Sequence, residues 1–242
     1  MTIPSGVISI GDGAFRYCRS LTSVTIANSV KYIGEAAFDA CHYLTAINVD
    51  ASNSAYSSGN GVLYNKNKTE LIRYPEGKTG AFTIPSSVIS IGDWAFDCCY
   101  DLTSVTIPSS VNRIGEGAFN GCYSLTSVTI PSGVISIGDW AFSECSSLAS
   151  VTIANSVKYI GEFAFFRTIF TSVTIPDSVI SIGKNAFSQG GLTSVTFQGT
   201  IAPANFGSDT YGVLGDLRDK YLAGGIGTYT RPSFSSTTWT KQ

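Results

Sequence analysis

The sequence predicts a repeat solenoid. The expected fold is a right-handed stack of 22–23-residue coils with short parallel β-strands and brief helical turns, mostly β and irregular, ending in a small C-terminal cap with a short helix. Three observations predict it. Ile-Gly recurs at Ile10, Ile33, Ile91, Ile114, Ile137, Ile160 and Ile182, and each is followed in fixed phase by Ala-Phe, with Phe at 15, 38, 96, 119, 142, 165 and 187. A second phase, Leu21-x-x-Val24-x-Ile26, returns from Leu44, Leu102, Leu125, Leu148, Phe170 and Leu192. Whole phrases are also copied: "SVTIANSVKYIGE" fills residues 23–35 and again residues 150–162.

A unit this short cannot fold alone. Burying about seven apolar side chains returns about 10–20 kcal/mol, at roughly 1.5–3 each. Ordering the backbone costs roughly 1–2 kcal/mol per residue, so coils must stack on one another. In the Leu-x-x-Val-x-Ile phase, Val and Ile point inward and the intervening Thr outward. These strands are expected to pair in parallel as one continuous ladder. Pro4, Pro85, Pro108, Pro131 and Pro176 end that pairing, because proline has no N–H to donate. The Ile-Gly phase reads as an extended piece, a glycine turn and a helical turn that carries the Phe inward.

One gap breaks the period. From Ile33 to Ile91 is 58 residues, which hides one coil with an insertion of about a dozen residues. Within the insertion, about 50–82, residues 61–65 and 70–75 flank Lys66-Asn67-Lys68 as a hairpin. Tyr64, Lys66, Lys68 and Arg73 are its candidate contacts. After Phe197 the period stops, which divides the chain into a solenoid (1–197) and a cap (198–242) with a helix near 215–225. Nothing before Thr2 resembles a cover for the first coil, so an upstream portion is expected.

Composition narrows the function classes. With a formal charge of −2 and 13% charged residues, the chain lacks the basic excess of a nucleic-acid binder. No apolar run approaches the roughly 20 residues of a membrane span, so direct membrane insertion is not expected. His42 is the single histidine and no Cys-x-x-Cys occurs, so neither a metal site nor a Cys-His dyad is expected. No cofactor motif is found, and the chain reads as a non-enzyme. Cys18, Cys41, Cys99, Cys122 and Cys145 share one slot with Thr168 and Gly190. They form a structural ladder of small residues and read as free thiols, since their side chains run parallel rather than facing. An acid follows the repeat Gly at Asp12, Glu35, Asp93, Glu116, Asp139 and Glu162, with Lys184 next. One carboxylate per coil falls short of the six or more oxygens that calcium takes, and the row reads as exposed.

Two variable regions remain. The first precedes Ile-Gly and alternates Ile-Ser with Lys-Tyr or Asn-Arg. The second follows the acid and holds Gly13, Ala36, Trp94, Gly117, Trp140, Phe163 or Asn185. A buried slot would not take Gly and Trp alike without cavities or overpacking, so these positions are read as at least partly exposed. Lys31, Tyr32, Trp94, Arg113, Trp140, Lys158, Tyr159 and Phe163 are therefore the candidate protein-binding surface, rich in the residue types of binding hot spots. The competing reading has the aromatics lying flat over adjacent coils and shielding the stack.

The consensus L-T-S-V-T-I-P-S-S-V-x-x-I-G-x-x-A-F-x-x-C resembles the leucine-rich repeats of BspA-like bacterial surface proteins, over residues 1 to about 197. The insertion also resembles an element found between repeats of that family. The resemblance implies a leucine-rich-repeat solenoid that is secreted or displayed at the cell surface and binds host-matrix or neighbouring-cell proteins, as an adhesin does. Two alternatives stand beside it: a glycan-binding surface built on the aromatic row, and a structural spacer within a larger surface protein.

Overall fold

The computed structural model describes residues 1–242. It is a β-solenoid of eight coils, numbered here from the N-terminus. Coils 1 and 2 carry Ile10 and Ile33, coil 3 carries the insertion, and coils 4 to 8 carry Ile91, Ile114, Ile137, Ile160 and Ile182.

Each regular coil contributes a long and a short strand. The long strands come from the Leu-x-x-Val-x-Ile phase. In Ser23–Ile26 the β-branched Val24 and Ile26 are wholly buried while Ser23 and Thr25 lie nearer solvent. These strands do not form the expected continuous ladder. They pair two by two: Ser23–Ile26 with Ala46–Val49, Gly80–Thr83 with Leu102–Thr106, Ser127–Ile130 with Ser150–Ile153, and Ser172–Ile175 with Ser194–Phe197. Between the first two pairs the insertion intrudes, and Ile47 donates its N–H to Gly61 of the insertion instead of to another long strand. The longer ladder belongs to the short Ile-Gly strands. Those of coils 4 to 8 join the insertion in one eight-stranded sheet.

The turn after Ile-Gly is not a helical turn. Two left-handed residues interrupt it in every regular coil: φ is 53–59° at positions 13, 36, 94, 117, 140, 163 and 185, and 55–68° four residues later. A helix cannot pass through such residues. Instead, every second turn amide donates to a carbonyl of the following coil: Phe96 to Ala118, Phe119 to Ala141 and Phe142 to Ala164, each at 2.7 Å. Side chains follow the same stacking. Phe96, Phe119, Phe142, Phe165 and Phe187 lie ring on ring, with centroids 4.6–5.4 Å apart.

The cysteine ladder runs beside them, and all six thiols are free. Cys41, Cys122 and Cys145 donate S–H to the carbonyls of Phe15, Phe96 and Phe119 at 3.0–3.2 Å. The slot thus takes a small donor that reaches back one coil. Cys98, outside the ladder, is half-buried, and burial pushes its thiol up to about 11.

The acid row has a structural task as well. Asp12, Asp93 and Asp139 accept the backbone N–H of Glu35, Glu116 and Glu162 at 2.7–2.9 Å. This explains the Asp/Glu alternation, because the shorter side chain holds the next coil's amide.

The insertion contains the expected hairpin and one more. Tyr56–Gly59, Val62–Asn65 and Glu70–Arg73 form an antiparallel meander, turned first at Asn60-Gly61. Asn-Gly is the strongest short hairpin signal in the segment, and sequence reasoning passed over it. The meander does not protrude. Its third strand replaces the short strand of coil 3, pairing Leu71 with Ile91. Tyr64 and Arg73 are buried and are not displayed on the outer surface of the insertion. Lys66 bonds back to the carbonyls of Ala51 and Asn53, and Lys68 is half-buried.

At the far end, Gly227–Thr230 pairs antiparallel with Ser194–Phe197, and Thr240–Lys241 adds to it. Helix Leu217–Gly224 buries Leu217 and Tyr221. Arg231, buried under Trp239, donates to the Leu192 and Ser236 carbonyls.

Two outcomes test this packing. A Cβ on Gly138 would sit 2.6 Å from the backbone C and O of Gly115, whereas one on Gly11 meets nothing within 4 Å. Gly138→Ala is expected to lower stability by about 1–3 kcal/mol or more and Gly11→Ala by no more than about 0.5, read from urea midpoints. With a disulfide exchange reagent at neutral pH, Cys41, Cys99, Cys122 and Cys145 should stay silent until the chain unfolds. Only half-buried Cys18 and Cys98 should react slowly before that.

Candidate binding cleft

The insertion changes one edge of the stack. In coil 4, five positions separate Ile91 from Phe96. In coil 3 only three separate Leu71 from Tyr74, which fills the Phe position, stacks on Phe96 at 4.9 Å and donates its N–H to Ala95 at 2.7 Å. Two residues are thus missing from the turn of coil 3. The turns of coils 2 and 4 become the walls of an open cleft of about 730 Å³. Leu63 and Ile72 lie at its floor, and Tyr32 and Trp94 stand at its rim.

The core divides at the same place. Forty-eight buried residues form one apolar cluster from the insertion to the C-terminus, and eleven form a second in coils 1 to 3. A polar network bridges them. Arg73 sits 3.1 Å from Asp39 of coil 2 and 2.5 Å from Glu76, and donates to the Trp94 carbonyl of coil 4 at 2.7 Å. Glu76 accepts the Ala40 N–H at 2.8 Å, a bond that goes to a backbone carbonyl of the next coil in most other coils. Burial pushes the Glu76 carboxyl upward, against the pull of Arg73, the Ala40 amide and His42. Burial also works to lower Arg73, but Asp39 and Glu76 outweigh it and hold the guanidinium charged. His42 lies 2.9 Å from the second Glu76 oxygen and stacks toward Tyr100. It faces away from Cys41, which bonds to Phe15.

The cleft is acidic. Five carboxylates line it (Glu35, Asp39, Asp93, Asp97 and Glu116) against Arg16 and Arg73. Asp39 pairs with Arg73 and Asp93 with Arg113 at 2.6 Å, while Glu35 and Glu116 make no ion pair. Asp97 accepts from Asn120 at 2.9 Å, and burial raises its pKa.

The structure separates the sequence-predicted surface into two rows. Tyr32, Arg113 and Tyr159 share one register position on the short strands, where Ser9, Ser90, Ser136 and Ser181 alternate with them. Tyr32 and Tyr159 are about half exposed, and Lys31 and Lys158 beside them are exposed. Trp94, Trp140 and Phe163 occupy the left-handed turn position. Trp94 lies flat over Gly117, where a Cβ would collide with its ring. Trp140 stacks on Phe163 at 4.1 Å, with Phe166 edge-on to both. The rings therefore shield the stack and yet keep outer faces, being 37% exposed at Trp94 and 36% at Trp140. In coil 8 the slot closes: Asn185 is buried, accepting from Thr210. The cleft gathers Tyr32 and Trp94 only. Glu35, Asp97 and Glu116 were missed as cleft residues. Their signal was the absence of Ile-Gly-x-x-Ala-Phe between positions 33 and 91.

The sequence model described as "BspA type Leucine rich repeat region (6 copies)" matches residues 1–80 and 74–193. The chain belongs to that family. A leucine-rich cell surface protein from Faecalibacterium prausnitzii is 34% identical with a TM-score of 0.50, covering 82% of this chain and 47% of its own. A leucine-rich repeat protein from Bacteroides ovatus is 30% identical with a TM-score of 0.59, covering 86% and 59%. This chain thus spans about half the length of these two leucine-rich relatives. The pneumococcal vaccine antigen PcpA, at 21% identity and a TM-score of 0.58 over 86% of this chain and 53% of its own, shares the fold. Among curated proteins, no match was found. No helix here is long and apolar enough to cross a membrane.

Removing one partner of a buried ion pair strands the other charge, at a cost of about 3–5 kcal/mol. Arg73→Ala should lose that much in urea unfolding. Because Arg73 ties two cores, the transition should also split, with coils 1 to 3 melting first. A single, unshifted transition would show that the bridge carries no load.

Proposed function

We propose that this BspA-type solenoid is a non-enzymatic, protein-binding scaffold of a bacterial surface protein, with an adhesin-like role. The observation that carries this reading is the seam cleft, where a shortened turn opens a pocket-sized recess beside exposed Tyr32 and Trp94. Recesses of this size, partly apolar and holding a few polar groups, are the usual form of binding sites. The turn slot adds support. Gly13 and Gly117 adopt its left-handed backbone freely, whereas Trp94, Trp140 and Phe163 hold it at φ 54–59°, which costs a bulky residue about 1–2 kcal/mol. Aromatic side chains kept against that cost fit a recognition role.

A glycan platform has less support, because Gly117 interrupts the aromatic row and Phe163 covers one face of Trp140. A surface-plasmon-resonance panel of purified host-matrix and bacterial surface proteins tests the assignment. At least one should bind the intact chain and lose tenfold or more with Tyr32→Ala/Trp94→Ala, at a melting temperature within a few degrees of the parent. Partners that bind this double variant unchanged would remove the cleft from the interface, and a panel that yields none while glycans bind would favour the platform.

A further inference from the structure

The shortened turn leaves several backbone groups without partners, among them an N–H on one wall of the cleft and a C=O on the other. In the other regular coils the amide of the left-handed slot residue donates to the next coil: Gly13 to Glu35, Trp94 to Glu116, Gly117 to Asp139, Trp140 to Glu162, Phe163 to Lys184 and Asn185 to Ser208, at 2.7–3.0 Å. Ala36 alone has no acceptor, because coil 3 lacks the residue that would supply one. Across the cleft the Asp93 carbonyl receives no donor, although Glu35, Glu116, Asp139, Glu162 and Lys184 each do so at the same position. One wall thus offers a free N–H and the other a free C=O, two coil steps apart, or about 10 Å at the usual strand spacing. One added backbone segment would satisfy both, as a strand added to an open sheet edge does.

The side-chain preference of that segment follows from the acid row. The position that coil 3 omits lies between Glu35 and Asp93, so an incoming carboxylate would meet two like charges and an incoming cation two opposite ones. Asp93 already holds Arg113 at 2.6 Å, and Glu35 holds no cation. The chain itself shows that a basic residue fits the row. Lys184 stands next to Glu162 there, its carbonyl accepting from Phe163 at 2.9 Å.

Building on the scaffold reading, we infer that the cleft is a docking slot for a basic peptide segment of a partner protein. The segment's Lys or Arg occupies the omitted row position between Glu35 and Asp93 and accepts the Ala36 N–H on its carbonyl. The next residue donates its N–H to Asp93. Ile72 on the floor and Trp94 at the rim exclude water from these bonds.

The probe is acetyl-Gly-Gly-Lys-Asn-Gly-amide, which copies the chain's own basic turn without the core residues that Leu71 and Tyr74 already provide. Titrated to about 10 mM into the ¹⁵N-labelled full chain, it should shift the amides of Ala36 and Trp94 saturably and slow hydrogen exchange at Ala36. Replacing its Lys by Glu, or N-methylating its Asn, should weaken binding at least tenfold. Glu35→Gln should weaken it threefold or more without changing the melting temperature. An Ala36 amide that does not respond, or equal binding of the Glu or N-methyl peptide, overturns the inference. If the peptide fails while a panel protein still binds through Tyr32 and Trp94, the slot is rejected and the scaffold reading stands.

Discussion

The structure depends on backbone amides of one coil finding carbonyls on the next. A turn containing two left-handed residues satisfies only alternate amides internally, as Ala95 to Gly92 and Asp97 to Trp94, so the amides between them must be satisfied from outside. The neighbouring coil has to come close enough to provide carbonyls at 2.7–3.1 Å. That approach requires glycine after the repeat isoleucine, as the contact of Gly138 with Gly115 shows. The stacked Phe rings and the cysteine thiols that reach back to Phe carbonyls follow the same spacing. Each coil is therefore folded by its neighbour, and cooperativity travels along the stack.

Coil 3 shows what happens when a neighbour falls short by two residues. The apolar core divides, since Tyr74, the ring at the Phe position of coil 3, stacks forward on Phe96 and not back on Phe38. Polar chemistry takes over at the break. Glu76 provides an acceptor for Ala40, and Arg73 spans from Asp39 to the Trp94 carbonyl. The bridge joins the two cores underneath while the outer part of the turn stays open. The recess and the charged network thus have one origin, an insertion that changed the length of a turn.

Much of this was legible in the chain. The coil length, the inward Val and Ile, the ladder of small cysteines, the hidden coil and the non-repeating end all follow from period and phase. Other features were misplaced for identifiable reasons. Tyr64 and Arg73 sit in a segment rich in charge and turn residues, which made them candidate contacts. In the fold that segment becomes a member of the sheet, because its third strand has the register of the missing short strand. The long strands were expected to form a continuous ladder, but a phase pattern reports which residues face inward and says little about which neighbour a strand bonds. The variable slot was read as at least partly exposed, yet Asn185 is buried in it because the C-terminal segment folds over coil 8.

The sequence by itself determined the solenoid, since a 23-residue unit with fixed apolar phase has no stable state except stacked on its copies. It also determined the chemistry on offer: a ladder thiol in five coils, an acid after the repeat glycine in six, two variable regions in each regular coil and a single histidine. Only the tertiary structure decided which of these meet. Tyr32 and Trp94 are 62 residues apart in the chain and face one recess because the turn between them is short. Glu35 and Asp93 flank an omitted position for the same reason. Periodicity specifies the repeated contacts between adjacent coils, whereas the cleft lies where the repetition fails, and the geometry of that failure depends on how the inserted chain packs.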